Sequence, residues 1–132
     1  MGKSLIITEK PSVARDIIAA LGGFQGSSKQ GYWESPDSIC TFAVGHLLEL
    51  LSPEDIDPAY KQWSLHHLPI LPERFSLKPI QEHQERLAVI RNLAQRADIT
   101  RLINACDAAR EGELIFREIV AFLGLRLPIE RL

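Results

Sequence analysis

Short apolar runs and segments of helical period alternate along this chain, and proline or glycine marks most of the junctions between them. Residues 4–8 (S-L-I-I-T) form a β-branched apolar run of the length expected for a buried strand. Glu9, Lys10 and Pro11 follow at once, and proline suits the first turn of a helix, where its missing N–H removes no intrahelical bond. From Pro11 to Leu21 the apolar positions Val13, Ala14, Ile17, Ile18 and Leu21 recur at helical spacing, and Gly22-Gly23 supplies a left-handed stop. The pattern predicts a strand feeding directly into a helix. Phe24 to Lys29, rich in glycine and serine, reads as a loop. Tyr32–Glu34 and Ile39–Val44 read as two short strands of a hairpin around a Ser-Pro-Asp turn.

The next stretch, Gly45 to Pro79, breaks this rhythm with several prolines and the aromatics Tyr60, Trp63 and Phe75, and it offers only a helical turn at His46–Leu51. So long a loop inside a compact domain is usually functional or packs on a partner. Within residues 80–97, Leu87, Ile90, Leu93, Ala94 and Ala97 mark one face of a polar-rich helix. Arg101–Cys106 forms a second short apolar strand, and Ile115, Ile119, Phe122 and Leu123 then repeat at helical spacing until Gly124. The strand-then-helix unit thus recurs, and Pro128–Leu132 resembles the opening of another strand. The chain stops there without a turn or polar tail, so it is expected to be cut from something longer.

Length bounds what these elements can build. At 132 residues, 45% hydrophobic and 24% charged, the chain suits one domain with its own core and is too short for two. Fifteen basic and 17 acidic residues give a net charge of −2, so no global positive field holds a polyanion and any nucleic-acid contact must be local. Apolar segments are too short for a membrane span and the N-terminus lacks the pattern of a signal peptide, which leads us to expect a soluble intracellular protein. Cys40 and Cys106 lie far apart and match no metal spacing, so buried, reduced thiols are expected.

Chemistry concentrates at the two strand-to-helix junctions. Glu9 follows the first strand, and Asp107-Ala108-Ala109-Arg110-Glu111-Gly112-Glu113 follows the later one. Ligands of open α/β sheets bind beyond the carboxyl ends of the strands, so if these two strands are neighbours the acids converge. Converging carboxylates point to magnesium, which takes one or two of them together with water and a substrate phosphate. The same residues also fit a plain helix start, with Asp107 as cap and Glu111 and Glu113 complementing the dipole. Arg110 sits badly in that second reading, because a cation in a helix's first turn opposes the dipole. It suits a bidentate phosphate contact or an ion pair with a neighbouring acid. Lys10 occupies the equivalent junction of the first unit and can meet the same phosphate as a point charge, or stand solvated. His46, just after a strand, can donate to a phosphate or serve structure alone. Trp63, Phe75 and the nearby prolines can stack on bases or simply anchor the loop, while His66, His67 and His83 lack metal spacing.

Four segments, in order, resemble the Toprim domain of type IA DNA topoisomerases, on the topoisomerase III branch of bacterial type. They are I-I-T-E-K-P-S-V-A-R (6–15), V-G-H-L-L-E (44–49), W-x-x-x-x-L-P-I-L-P-E-R-F (63–75) and D-A-A-R-E-G-E-L-I (107–115), and together they span nearly the whole chain. The resemblance implies an α/β fold, a Rossmann-like sheet of about four parallel strands flanked by helices, over a single Toprim domain at residues 1–132. It implies catalytic roles for Glu9, in acid/base chemistry, and for Lys10 and Arg110, as phosphate contacts. It further implies magnesium held by Glu9, Asp107 and Glu111. The family's Asp-x-Asp-x-Glu motif maps to Asp107, Ala109 and Glu111, so Ala109 removes one carboxylate, an absence shared by some members of this branch. The activity implied is ATP-independent cleavage of one DNA strand through a 5′-phosphotyrosine, strand passage and religation. No nucleotide cofactor is expected, and the partners are single-stranded DNA segments and the remaining topoisomerase domains in cis, in a cytoplasmic, nucleoid-associated enzyme. Neither Tyr32 nor Tyr60 lies in a matching segment, so the nucleophile belongs to another domain and the chain alone is expected to be inactive. Two rivals stand beside this reading: a catalytically silent Toprim module that binds DNA or protein, and a Toprim nuclease or primase.

Overall fold

The computed structural model describes residues 2–50 and 77–132 of the chain. In chain order its elements are β1 (Lys3–Thr8), α1 (Pro11–Leu21), β2 (Gln25–Ser27), β3 (Tyr32–Glu34), β4 (Ser38–Phe42) and β5 (Leu48–Leu50). These are followed by β6 (Leu77–Pro79), a 3-10 turn at Gln81–His83, α2 (Gln84–Ala94), β7 (Ile99–Ala105), α3 (Arg110–Leu123) and β8 (Ile129–Arg131). One sheet runs in the order β2-β3-β4-β1-β7-β8, and β5 pairs with β6 in a separate antiparallel ribbon.

β1 and its neighbour β4 form the centre because both are buried on both faces, with Ser4 to Thr8 and Ile39 to Phe42 all buried. β1 pairs in parallel with β4 on one side and β7 on the other, and β7 pairs in parallel with β8. The helices divide between the two faces. Leu5, Ile7, Ile39 and Leu102 point to a core built with Leu87, Ile90 and Leu93 of α2 and Ile115, Phe116 and Ile119 of α3. Ile6, Cys40, Phe42 and Ala105 point to the other face, where Ala14 of α1 packs beside Trp33. The expected α/β architecture is therefore present. The sheet is mixed, however, since β2 and β3 extend the four parallel strands with antiparallel pairings.

This arrangement decides where a ligand can sit. From β1 the chain crosses through α1 toward β4, whereas from β7 it crosses through α3, on the opposite face, toward β8. Right-handed crossovers leading in opposite directions require helices on opposite faces. The neighbours β1 and β7 therefore form the switch point, and a crevice opens at their carboxyl ends.

Three local expectations are corrected. Phe24–Lys29 is not wholly loop, because Gln25–Ser27 forms the edge strand β2; all three residues are exposed, and the backbone of β3 rather than any apolar pattern makes them a strand. Leu48–Leu50 is a strand and not a helical turn, since it finds a partner in β6, far along the chain. The helix expected within 80–97 ends at Ala94, which leaves Ala97 exposed in the turn before β7. Tyr60, Trp63, Phe75, His66, His67 and the segment 63–75 lie outside the described residues.

Candidate active site at the strand ends

Three strand ends meet around the crevice, and backbone hydrogen bonds hold them together. The Ala43 N–H donates to the Thr8 carbonyl at 2.8 Å and the Gly45 N–H to the Glu9 carbonyl at 3.3 Å, which ties the exit of β4 to the exit of β1. The buried Thr8 hydroxyl lies 3.0 Å from the Lys10 carbonyl and 3.2 Å from that of Thr41, fixing the turn into α1. Lys10 then occupies the N-cap position with extended backbone and Pro11 opens the helix, as the E-K-P junction predicts.

At the end of β7 the first turn of α3 lies hard against Asp107. A Cβ on Gly112 would stand 2.3 Å from the Asp107 carbonyl oxygen and 2.7 Å from its nitrogen, so only glycine permits this approach. The glycine of the E-G-E motif is thus a packing requirement that lets the first turn of α3 lie against Asp107. The N-cap is Ala109, not Asp107, and it supplies no side-chain bond. Asp107 is exposed, and its Oδ1 accepts the Ala109 N–H at 3.2 Å in a local turn.

The acids of this motif divide by environment. Glu113 is bound sideways by Asn104 at 2.9 Å, Arg117 at 2.9 Å and Arg131 at 3.3 Å. Its carboxyl is held below the usual range, first by Arg117. It is a structural residue that ties β7, α3 and β8. Glu111, in contrast, is 72% exposed, and among the described residues its carboxylate touches only the His46 ring. Glu9 is half-buried at the end of β1. Its charge is felt by the Cys106 thiol, which burial and then Glu9 push up to about 12. Cys106 is thereby a free, buried thiol, as expected. Cys40 is likewise free and buried.

Lys10 and Arg110 are both exposed, and among the described residues neither forms an ion pair. The ion pair weighed for Arg110 is therefore absent from the described part of the chain. Lys10 and Arg110, without ion pairs among the described residues, and the carboxylates of Glu9, Asp107 and Glu111 follow two neighbouring strands, a set that can receive a phosphate and a hard cation together.

The Toprim domain family matches residues 4–131, almost the whole chain. This chain belongs to the Toprim family. As a Toprim domain it is similar to the DNA topoisomerase 3 of Bacillus cereus, with 43% identity over 132 residues, covering all of this chain and 18% of the relative. It is also similar to the DNA topoisomerase 3 of Staphylococcus epidermidis, with 42% identity over 130 residues, 98% of this chain and 18% of the relative. That of Shouchella clausii is 39% identical over 132 residues. The chain thus spans about a fifth of the length of the curated relatives it matches. Among the described residues, no helix of this Toprim domain is long and apolar enough to cross a membrane.

The donor set fits magnesium in one form only. Among the described residues no three Asp, Glu, His or Cys side chains stand together as a ready metal cage. Exposed, hard carboxylate oxygens on two neighbouring strand ends instead suit an ion that keeps most of its water and takes one or two protein ligands.

Sequence reasoning missed two features of this Toprim site. Gly112 gave a signal, a glycine in the first turn of a helix with no turn to make. Glu118 gave none, because its partner His46 is 72 residues away.

Proposed function

We propose that this chain is the acidic, magnesium-binding half of the active site of a bacterial DNA topoisomerase 3, which cuts one DNA strand, passes another through the break and rejoins the first without ATP. One observation supports this reading: β1, which Glu9 and Lys10 follow, is the parallel neighbour of β7, which Asp107, Arg110 and Glu111 follow, and both cations are free of ion pairs among the described residues. The name of the relatives supports it, as do the intact motif residues.

In this reading Arg110 binds two oxygens of the scissile phosphodiester and Lys10 adds a point charge, while the N–H groups opening α3 favour the same anion. A tyrosine from another domain loses its phenolic proton to water and attacks phosphorus, the bond to the 3′ oxygen breaks, and Glu9 delivers a proton to that oxygen. In religation Glu9 takes the proton back as the 3′ hydroxyl attacks the phosphotyrosine. Glu9, Asp107 and Glu111 would hold magnesium, one or two of them at a time, and the ion would supply positive charge for rejoining the broken strand. Tyr32 does not suit the nucleophile, since it is half-buried in β3 against the core. The net charge of −2 fits a domain whose DNA grip is shared with other domains in cis. The enzyme would act on single-stranded segments of DNA in the cytoplasm, at the nucleoid, and needs no nucleotide.

Glu9→Gln in the full-length enzyme is expected to lower single-strand cleavage by roughly 10²- to 10⁴-fold, the usual share of a positioned acid, with circular dichroism unchanged. Cleavage at the parent's rate would contradict the reading. The 132-residue chain alone should leave supercoiled plasmid unrelaxed in magnesium. Relaxation by a clean preparation would place the nucleophile inside this chain, and nicks bearing no tyrosine adduct would favour a Toprim nuclease.

A further inference from the structure

His46 lies where the exit of β4 meets α3, and both of its ring nitrogens face carboxylates of that helix. Nε2 is 3.4 Å from Glu111 Oε1 and Nδ1 is 3.4 Å from Glu118 Oε2. Seven residues separate the two acids, two helical turns on one face, so a single ring can span them. Their surroundings differ. Glu118 is only 19% exposed, against 72% for Glu111, so one acid is fixed by its packing and the other is free to swing. Gly45, at φ 77°, turns the chain so that the next side chain meets α3, and its N–H is fastened to the Glu9 carbonyl. The histidine is thereby anchored from two directions, by the backbone of β1 and by Glu118.

We propose that His46 is a positioning residue: Glu118 holds the imidazole, and the imidazole holds the otherwise mobile Glu111 carboxylate toward the crevice. This inference rests on the reading that Glu111 is one of the magnesium ligands. The logic is that of groups behind a metal's own ligands, which set a ligand's orientation so that less freedom is lost on binding and whose removal costs about 10- to 100-fold in metal affinity. Glu118 is then part of the site although it touches neither metal nor substrate.

The test measures the binding of Mn²⁺, as a paramagnetic stand-in for magnesium, to the 132-residue chain by electron paramagnetic resonance, with thermal melting as the check on folding. His46→Ala is expected to weaken binding about 10-fold, Glu118→Gln about 3-fold, and His46→Gln to recover part of the loss because an amide can donate from where the ring contacts Glu111. Positions that act as a unit are not additive, so Glu118→Gln should add little in a His46→Ala background and His46→Ala nothing in a Glu111→Ala background. If Glu111→Ala weakens binding and His46→Ala does not, the positioning role is wrong while the metal site stands. If Glu111→Ala binds Mn²⁺ like the parent, the reading of Glu111 as a ligand fails. A loss from His46→Ala that persists in the Glu111→Ala background would also overturn the proposal, since His46 would then act on the ion without Glu111.

Discussion

The two ends of the central sheet treat charge in opposite ways. At the amino end, Arg96 binds Glu34 at 3.0 and 3.2 Å and Asp98 at 2.7 and 3.0 Å, while Lys3 reaches the same Glu34 carboxylate. Glu34 and Asp98 are both held below the usual carboxylate range, in each case first by the Arg96 guanidinium, and Arg96 is raised in return. Every charge in that group has a partner, and together they close the turn that leads from α2 into β7 across to β3. At the carboxyl end, Lys10 and Arg110 have no ion pair among the described residues, and Glu9 and Asp107 face no fixed cation there. Paired charge fastens the fold, and unpaired charge around a crevice waits for a ligand.

Substitutions at the two ends should therefore separate activity from stability. The largest effect expected is from Arg110→Ala in the full-length enzyme: about 100-fold slower cleavage and religation of single-stranded DNA, near 3 kcal/mol of transition-state binding, with the melting temperature almost unchanged. Rates equal to the parent's would make Arg110 a surface cation without a phosphate role.

Gly112→Ala crosses the comparison, because here packing builds the site. The added methyl must displace the first turn of α3 from Asp107, so we expect a loss of about 2 kcal/mol in stability by urea titration together with weaker metal binding. A stable variant that binds metal normally would show that this close approach is dispensable.

A smaller effect is expected at the amino end, where Arg96→Ala should cost about 1 kcal/mol at neutral pH and leave DNA cleavage intact. The sign of its pH dependence follows from the depressed Glu34. That group contributes stability in full above the ordinary carboxylate range, and the contribution is lost as pH falls through its lower folded value. The gap between parent and variant should therefore narrow on acidification. A gap that stays constant, or widens in acid, would mean that Arg96 acts through packing and not through charge.

Much of the frame that sets up this contrast was legible from local pattern. Helix α1 begins and ends where Pro11 and Gly22-Gly23 say it should, because both signals act within one turn of the boundary. The two strand-to-helix junctions that carry the proposed site's acids and cations were legible for a related reason, since β1, α1, β7 and α3 lie where the local pattern locates them. What escaped depends on partners distant in sequence. β2 has no buried side chain and exists through the backbone of β3, and β5 is a strand only because β6 pairs with it. Likewise, nothing in the chain's order says that β1 and β7 are neighbours, that Glu113 is drawn aside by Asn104, Arg117 and Arg131, or that Glu118 stands behind His46.

Ala109 sharpens the central claim, that the unpaired carboxylates after β1 and β7 hold magnesium. It stands where the family pattern has a second aspartate, so on this account the donor set is reduced and magnesium affinity should respond to adding or removing one acid. The direct measurement is magnesium binding to the chain by titration calorimetry. Ala109→Asp should tighten binding and Asp107→Ala should abolish it. Normal binding by Asp107→Ala, or parent affinity already equal to that of Ala109→Asp, would contradict the account and return these junction acids to the role of a helix start.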